Sequence, residues 1–398
     1  MSRADRGGFG SGVVTGLVIG LVIAAAIGVL TGVINQEDDD PTVLDAQETI
    51  EANYFEEVER AELDEASISG MVREIKKRYD DRFSHYFTAD QLKLFEAATS
   101  GSFSGVGLTV SEIPKGLRIA AVLPETPAEE AELEEGDVIT DVDGKSIAGV
   151  PSDVSTARIK GPPGTAVELR VVPAAGGPAE EVTLERADVR VPAVDGEIRR
   201  TEDGRDIAYV RFATFSQGSH GELRETVDRL YRRGAEGLII DLRGNGGGLL
   251  NEAVLSSSIF VENGEVVSTR SRTRGERSYE AVGDAIDPRP TVILVNRDTA
   301  SASEILTAAL EVYDLAEVVG TRTFGKGTFQ EVLPLEAGGA LDLTIGQYLT
   351  ADGTSLAGKG IPPDVRVEDD PKTEREDEAY DRAAAVLADE LDAEPASQ

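Results

Sequence analysis

The second half of the chain alternates short apolar runs with segments of helical periodicity, and this alternation restricts the fold more than any other feature. From about Asp206 the apolar runs are DIAYVRFATF, GLIIDLRG, TVILVN and AEVVG, separated by helical patterns around ELRETVDRLYRR, LLNEAVLSSSIF and ASEILTAALEVY. Strands joined by helical crossovers form a parallel sheet with helices packed on it. We therefore predict the fold class α/β, with a parallel-rich core over residues 191–367 whose sheet the run ALDLTIGQYLT completes.

The segments before and after this core have different sequence patterns. Residues 37–100 place apolar residues three and four apart, as in TVLDAQETIEANYFEEV and SISGMVREIKKRY, which predicts an N-terminal helical segment. Residues 101–190 consist of short β-like runs between turn residues and predict an inserted β module of roughly ninety residues. Residues 368–398 are an acidic tail with one short helix pattern.

The amino terminus carries an uncharged run, Gly12–Ile34, which we predict to be a single transmembrane helix within residues 1–36. At about 1.5 Å per residue its 23 positions are long enough to cross a bilayer. Arg3 and Arg6 precede the run and acidic residues follow it, so we expect the rest of the chain on the extracytoplasmic side of the cell membrane. A cleaved signal peptide is the rival interpretation.

Composition excludes several classes of chemistry. The chain has no cysteine and only two histidines, His85 and His220, far apart in sequence. Neither a disulfide, a thiolate nucleophile nor a paired-histidine metal site is therefore expected, and we predict no metal and no cofactor. A formal net charge of −35 argues against nucleic acid as a partner, since like charges repel at long range.

The β module contains a loop suited to a peptide's carboxyl end. In FSGVGL the residues Gly105, Val106, Gly107 and Leu108 direct backbone N–H groups into one cavity, and the next strand offers an edge to an extended peptide. The run LEEGDVITDVDG resembles the turn-strand-turn of PDZ domains. We predict that the module binds the C-terminal tail of a protein with an apolar last residue. The competing interpretation makes the two glycines ordinary turn residues.

A glycine loop follows the second apolar run of the core, in LIIDLRGNGGGLLNEAV. Glycines at the start of a helix leave N–H groups free to stabilise a developing negative charge. A dinucleotide loop is the alternative, but G-x-G-x-x-G fails because Leu249 occupies the third glycine position. We expect the loop from Gly244 to Gly248 to bind an oxyanion.

A separate stretch, Gly320 to Lys326, resembles a phosphate-binding loop. Such a loop needs a Ser or Thr after the lysine to bind magnesium, but this chain has Gly327 there.

A serine and a lysine complete a candidate for nucleophilic catalysis. In TVILVNRDTASASEILTAAL, either Ser301 or Ser303 lies where a buried strand turns into a helix, a corner that exposes a nucleophile. The alternative role of Ser301 is a helix cap, since Glu304 three residues on forms a capping box. Lys326 lies among glycines and aromatic residues, where burial lowers an amine's pKa and allows it to accept the serine proton. Gln330 is positioned to orient the amine.

These ordered motifs resemble the C-terminal processing peptidases, also called tail-specific proteases, from about Tyr54 to Val367. The segments that carry the resemblance are DRFSHYFTADQLKLFEAATSGSFSGVG, DLRGNGGGLL, TASASEI and GTRTFGKGTFQ. The resemblance implies Ser301 as nucleophile, Lys326 as base and Gln330 as orienting residue. It also implies an oxyanion hole from the amides of Gly247 and Ala302.

Two positions depart from the family's pattern. Thr299 replaces the first serine of the nucleophile motif, which we expect to be tolerated. Gly246 replaces the proline of N-P-G-G, which adds backbone freedom beside the oxyanion hole and is expected to slow turnover or make the site depend on substrate binding.

The expected function is that of a membrane-anchored serine endopeptidase that cleaves proteins near their C-terminal tails. The resemblance implies that the PDZ domain binds the substrate's C-terminus and gates the active site. The main alternative is a non-catalytic, membrane-tethered PDZ adaptor that binds peptides without cleaving them.

Overall fold

The computed structural model describes residues 41–369 and 377–393 and separates the chain after Asp80 into two units. The described part of the first unit contains helices α1 (Pro41–Asn53) and α2 (Arg60–Tyr79). Gln47 of α1 is 5% exposed and donates a 2.9 Å hydrogen bond to Asp64 of α2. The helical periodicity of this stretch therefore corresponds to two packed helices.

The predicted membrane helix Gly12–Ile34 lies outside the described residues. Within residues 41–369 and 377–393, none of the helices combines the length and the apolar character that crossing a bilayer requires.

The second unit begins with a short strand, which corrects the prediction that all residues up to Ser100 are helical. Strand β1 (His85–Phe87) precedes helix α3 (Ala89–Ser100). Thr88 starts α3 through a capping box, in which its hydroxyl accepts from Gln91 N and the Gln91 side chain accepts from Thr88 N. This cap separates the helix from the extended residues before it, and helical periodicity alone could not locate that break.

The β module has its own core and a six-stranded antiparallel sheet. Its elements are β2 (Ser102–Gly105), β3 (Leu108–Ile113), β4 (Gly116–Val122), α4 (Pro127–Glu130), β5 (Val138–Val142), β6 (Lys145–Ser146), α5 (Ser152–Ile159), β7 (Ala166–Val172), β8 (Glu180–Glu185) and β9 (Ala187–Arg190). The sheet order is β3-β4-β5-β7-β8, with β6 on β5. Strand β3 is therefore an edge, as the peptide-binding prediction requires.

The remaining elements form the core of the second unit. In chain order they are β10 (Val194–Arg200), β11 (Asp206–Phe212), α6 (Ser219–Arg232), β12 (Leu238–Asp241), α7 (Leu250–Ser257), β13 (Glu265–Ser271), β14 (Gly275–Glu280), β15 (Thr291–Val295), α8 (Ala302–Val312), β16 (Glu317–Gly320), β17 (Thr328–Pro334), β18 (Ala340–Thr350), β19 (Val365–Arg366) and α9 (Glu378–Ala393). A six-stranded sheet runs β10-β11-β12-β15-β16-β19, parallel except for β10, as the alternation of strands and helices predicts.

Both faces of this parallel sheet are buried, which explains why its strands read as continuous apolar runs. Ile240 and Ile293 face the layer of α6, α7 and α8, whereas their neighbours Ile239 and Val292 face α9. The predicted tail helix is thus a packed layer of the core, with Leu387 fully buried.

A second sheet corrects the prediction for ALDLTIGQYLT. This run forms β18, which belongs to a five-stranded antiparallel sheet with β1, β13, β14 and β17 and not to the parallel sheet. Only the short turn from Leu335 to Gly339 joins β17 to β18, and so short a connection makes a hairpin and not a parallel crossover.

Candidate active site

Ser301 lies at the corner where β15 leads into α8, and its backbone is strained. Its φ of 59° and ψ of −117° lie outside the regions that L-residues adopt readily. Ser303 lies two residues further, in the first turn of α8. It is fully buried and donates its hydroxyl to the Asn245 carbonyl at 3.0 Å. Of the two candidate serines, Ser303 therefore has a structural hydrogen bond, while Ser301, which is 5% exposed, has the strained backbone of a strand-to-helix corner.

The glycine loop packs directly against this corner. A Cβ atom added to Gly247 would lie 2.8 Å from Ser301 Cβ and 2.9 Å from Ala302 N, so only glycine fits there. The structure thus places Gly247 directly beside Ser301 and Ala302. The Gly247 N–H, however, donates to the Asn245 side-chain oxygen at 2.9 Å, so this donor is already engaged.

Asn245, which the sequence analysis did not single out, fixes the loop from inside. It is fully buried, and its side-chain nitrogen donates to Phe212 O at 2.8 Å. Its backbone carbonyl accepts from Ala300 N at 3.0 Å as well as from Ser303. Asn245 therefore ties the glycine loop to the nucleophile corner on both sides.

The two departures from the family's pattern have different surroundings. Thr299 is fully buried, and its hydroxyl donates to Leu242 O at 2.8 Å and accepts from Asn296 N at 2.9 Å, so the threonine is well accommodated. Gly246 is exposed, and a Cβ added there would contact nothing within 4 Å. The glycine at this position is thus not required by packing.

Lys326 lies in the loop after β16, and its ammonium faces an aromatic ring. Nζ is 5.0 Å from the centroid of Phe83. Burial lowers the pKa of Lys326 below its ordinary value, against the opposing charges of Asp342 and Glu304. Within the described residues, no hydrogen bond joins Nζ to Ser301 Oγ, so the amine and the hydroxyl are not engaged with each other here.

Glu304 connects the nucleophile corner with the lysine loop. Its fully buried carboxylate accepts from Ser301 N and Lys326 N through one oxygen, at 2.9 Å each. The other oxygen accepts from Thr323 Oγ1 at 2.6 Å and Gly325 N at 2.7 Å. The backbones of Ser301 and Lys326 are therefore held within two hydrogen-bond lengths of each other. The capping-box pattern had revealed only the contact with Ser301 N.

Gln330 takes part in a different contact from the predicted one. Its side-chain nitrogen donates to Thr344 Oγ1 at 3.1 Å, and Thr344 in turn donates to Asp81 Oδ1 at 3.1 Å. The side chain is on β17, four residues beyond Lys326, but its shorter hydrogen bond leads to β18 and a longer one, of 3.5 Å, leads to Thr328 Oγ1. An orienting role for Gln330 stays a prediction.

Tyr348 of β18 is a further neighbour of Ser301 that sequence analysis missed. Its phenol lies close enough to the Ser301 side chain for the two to interact. Burial raises the pKa of Tyr348, against the lowering effect of that interaction, so the phenol stays protonated at neutral pH. The only sequence signal was a tyrosine in a strand that was assigned to the other sheet.

The loop that we predict to bind a peptide, in the β module, helps to line a small apolar groove. Phe103, Gly105, Val106, Leu108 and Val110 line one side, and Thr156, Ile159 and Lys160 line the other. In the part of the chain that the structure describes, Val106 N and Gly107 N donate no hydrogen bond. Two free amides beside an apolar groove suit a carboxylate followed by an apolar side chain.

His220 is the second residue of α6, and its Nδ1 lies 2.7 Å from a Glu252 carboxylate oxygen. Across residues 41–369 and 377–393, no group of three or more histidine, aspartate and glutamate side chains is arranged to hold a metal ion.

Comparison with known proteins matches both modules. Residues 206–367 match Peptidase family S41, and residues 118–173 match the PDZ domain. The chain is 33% identical over 338 residues to the probable CtpA-like serine protease of Staphylococcus saprophyticus, covering 84% of this chain and 67% of that one. It is 33% identical over 324 residues to the carboxy-terminal processing protease CtpA of Bacillus subtilis, covering 81% and 68%.

A solved structure, the photosystem II D1 C-terminal processing protease, is 29% identical, with a TM-score of 0.47 over 82% of this chain and 92% of that chain. The S41 match includes the glycine loop, the serine corner and the lysine loop, and the PDZ match lies in the β module. From the two family matches and the 33% identity to the two bacterial proteases, the chain belongs to the C-terminal processing peptidases and is a serine-type peptidase of mixed α/β fold with a PDZ domain.

Proposed function

We propose that the protein is a membrane-anchored endopeptidase that cleaves proteins near their C-terminal tails with Ser301 as nucleophile and Lys326 as general base. The observation that carries this proposal is the position of Glu304. One of its oxygens accepts from both Ser301 N and Lys326 N, which brings the two loops together beside the Gly247 and Ala302 amides. A strained serine, a partly desolvated amine and a pair of candidate oxyanion donors are the groups that acyl transfer needs.

The proposed reaction begins when Ser301 Oγ attacks a peptide carbonyl carbon and passes its proton to the neutral Lys326 amine. The Gly247 and Ala302 N–H groups stabilise the oxyanion of the tetrahedral intermediate. The C–N bond then breaks, and the Lys326 ammonium protonates the leaving amine. Water attacks the resulting ester, giving one proton to Lys326, which returns it to Ser301.

Two contacts must change before this reaction can proceed. A substrate oxyanion has to displace the Asn245 side-chain oxygen from Gly247 N–H. The Lys326 amine has to turn from Phe83 towards Ser301. The described conformation, before these two contacts change, is therefore that of a resting form. We propose that binding of a substrate tail at Gly105, Val106, Gly107 and Leu108 of the PDZ domain promotes the conversion to the active form.

Lys326→Arg tests the role of the base. Arginine keeps the positive charge but cannot lose its proton near neutral pH. We expect kcat/KM for a tail peptide to fall about 10²–10⁴-fold, the usual contribution of a general base. Lys93→Arg, at an exposed side chain of α3, is the matched control. Full activity of Lys326→Arg would remove Lys326 from the mechanism.

A serine-directed covalent probe separates the peptidase from the alternative PDZ adaptor. The wild-type chain should become labelled at Ser301, and Ser301→Ala should bind the same tail peptides without being labelled. An adaptor would bind peptides but leave the probe unreacted in both proteins.

We also propose that Gly12–Ile34 anchors the protein with its catalytic part outside the cytoplasm. The uncharged length of the run and the preceding arginines support this arrangement. The full chain should sediment with membranes after a carbonate wash, and the PDZ domain should be digested by a protease added outside intact cells. Release by carbonate, or protection of the PDZ domain, would contradict the anchor.

A further inference from the structure

The segment Asp81–Ser84, which precedes β1, reaches the catalytic lysine from far away in sequence. The Phe83 ring lies 5.0 Å from Lys326 Nζ. Phe324, two residues before the lysine, packs its ring edge-on to Phe83 with 6.3 Å between the centroids. The ring that faces the lysine amine thus comes from upstream of the PDZ domain and packs in turn against Phe324.

The Asp81 carboxylate determines the shape of this segment. Its Oδ1 accepts from Phe83 N at 2.9 Å, from Ser84 N at 3.1 Å and from Thr344 Oγ1 at 3.1 Å, while Oδ2 accepts from the Ser84 hydroxyl. Burial tends to raise the pKa of Asp81, but these hydrogen bonds outweigh it and hold the pKa below its usual value. The carboxylate therefore stays charged and keeps its four acceptor contacts at neutral pH.

Ser84 fastens the segment to the second sheet. On one edge of β18, residues up to Asp342 pair with β1 and residues from Gly346 onwards pair with β13. Thr344 lies between these two stretches and has no strand partner on that edge. Ser84 is 1% exposed, and its Oγ accepts from Thr344 N at 2.9 Å in this gap. Because an unpaired buried N–H is costly, the position of Ser84, and with it Phe83, is strongly specified.

Phe83 acts on the Lys326 ammonium in two opposing ways. A ring face attracts a cation, which favours the charged amine, whereas displacement of water disfavours it. The charged groups that face the amine are Asp342 of β18 and Glu304 of α8, and Asp342 in turn interacts with His85 and Asp81. The pKa of Lys326 is lowered although both carboxylates oppose this, so water exclusion is the dominant effect.

We propose that Phe83, held by Asp81 and Ser84, is a positioning residue of the peptidase that keeps bulk water from the Lys326 amine until the amine turns towards Ser301. The base of the protease core thus depends on a segment that lies outside the S41 match at residues 206–367. This inference rests on the proposed role of Lys326 as the base.

The test measures how Lys326 ionises in the full chain carrying Ser301→Ala, so that no proteolysis is needed. The amine is acetylated with a trace of acetic anhydride over a range of pH, and the modification of each lysine is quantified by mass spectrometry relative to exposed Lys93. The midpoint of the pH curve reports ionisation, independently of how accessible the amine is.

Phe83→Ala should raise the midpoint of the Lys326 labelling curve by about one pH unit. At a pH below the midpoint, this shift corresponds to a tenfold smaller fraction of neutral amine. Phe83→Leu, which is still apolar, should raise the midpoint less. Phe87→Ala is the matched control, because Phe87 is also half-buried but stacks on Phe95. In this variant the midpoint of Lys326 labelling should stay at the wild-type value. If Phe83→Ala does not fold, Phe83→Gln, which keeps length but admits water, carries the same expectation.

An unchanged or lowered midpoint in Phe83→Ala would overturn the inference. This outcome is distinct from failure of the proposed function, which would appear as full proteolysis by Lys326→Arg. With Ser301 intact, the acidic limb of the kcat/KM profile should move in the same direction as the labelling midpoint, and a limb that stays in place would also overturn the inference.

Discussion

At the scale of single residues, the active site combines backbone strain with dense hydrogen bonding. Ser301 adopts a conformation that costs about 1–3 kcal/mol for a non-glycine residue. Glu304 accepts from its N–H, and Gly247 packs against its Cβ, so the surroundings impose this conformation.

The strain predicts an unusual effect of glycine at this position. Both Ser301→Ala and Ser301→Gly should be proteolytically inactive, but Ser301→Gly should have the higher free energy of unfolding, by about 1–2 kcal/mol, because glycine adopts positive φ without a Cβ clash. Urea unfolding of the two variants measures the difference.

Ser303 provides the matched control for this comparison. It lies inside α8, where Ser303→Gly should be less stable than Ser303→Ala by about 0.5–1 kcal/mol. If the Ala and Gly variants at position 301 ranked in the same order as those at position 303, the backbone at Ser301 would not be strained.

At the scale of elements, the sequence predicted the sheet to which the strands with both faces buried belong. It did not predict the strand pairing of the second, antiparallel sheet. Strands β12 and β15 are short, fully buried apolar runs between helices, so their pattern leaves little choice of fold. Strand β18 is mostly half-buried, and its partners β1 and β13 lie far away in sequence. Pairing over such separations leaves no local signal.

The same distinction applies to the candidate site. The glycine loop, the serine and the lysine follow the carboxyl ends of parallel strands, so the fold itself predicted that they meet. Asn245, Tyr348 and Phe83 act through tertiary contacts that no spacing reveals. Glu304 was partly visible as a cap, but its contact with the lysine loop depends on packing.

The C-terminal helix is tied to the start of the glycine loop by an ion pair. Arg243, which immediately precedes Gly244, contacts Asp241 at 2.7 Å and Asp377, the residue before α9, at 2.6 Å. Burial would raise the pKa of Asp377, but hydrogen bonds from Arg243 and Tyr380 N lower it below the usual value. A carboxyl with a lowered folded pKa stabilises the protein above its unfolded pKa of about 3.9 and loses that effect as pH falls through the folded value.

Asp377→Asn should therefore lower the free energy of unfolding by about 1 kcal/mol at neutral pH, a modest value because the Asp377 side chain is 44% exposed. The difference from wild type should shrink as the pH falls below about 4. Urea unfolding at several pH values measures it, with Asp389→Asn at an exposed site of the same helix as control. A difference that does not change with pH would show that the ion pair contributes nothing.

At the scale of the whole molecule, charge is the dominant property. The chain carries 74 acidic and 39 basic residues, a net charge of −35. Such a surface attracts cationic segments and repels anionic ones before any contact forms, and changes association rates by about 10–10³-fold. For an enzyme that binds flexible protein tails, this electrostatic force acts on the charged residues of the tail while the substrate diffuses towards the enzyme.

The charge predicts how salt should change substrate preference. Two tail peptides with the same apolar C-terminus and cleavage site, but with upstream lysines in one and glutamates in the other, isolate the long-range effect. Raising the salt concentration from about 0.02 to 0.5 M shortens the screening length severalfold. The kcat/KM of the lysine peptide should therefore fall several-fold, and that of the glutamate peptide should rise. A glutamine peptide should change little and controls for effects of salt on the enzyme itself. Equal salt dependence of all three peptides would show that local contacts, and not the net charge, govern substrate capture.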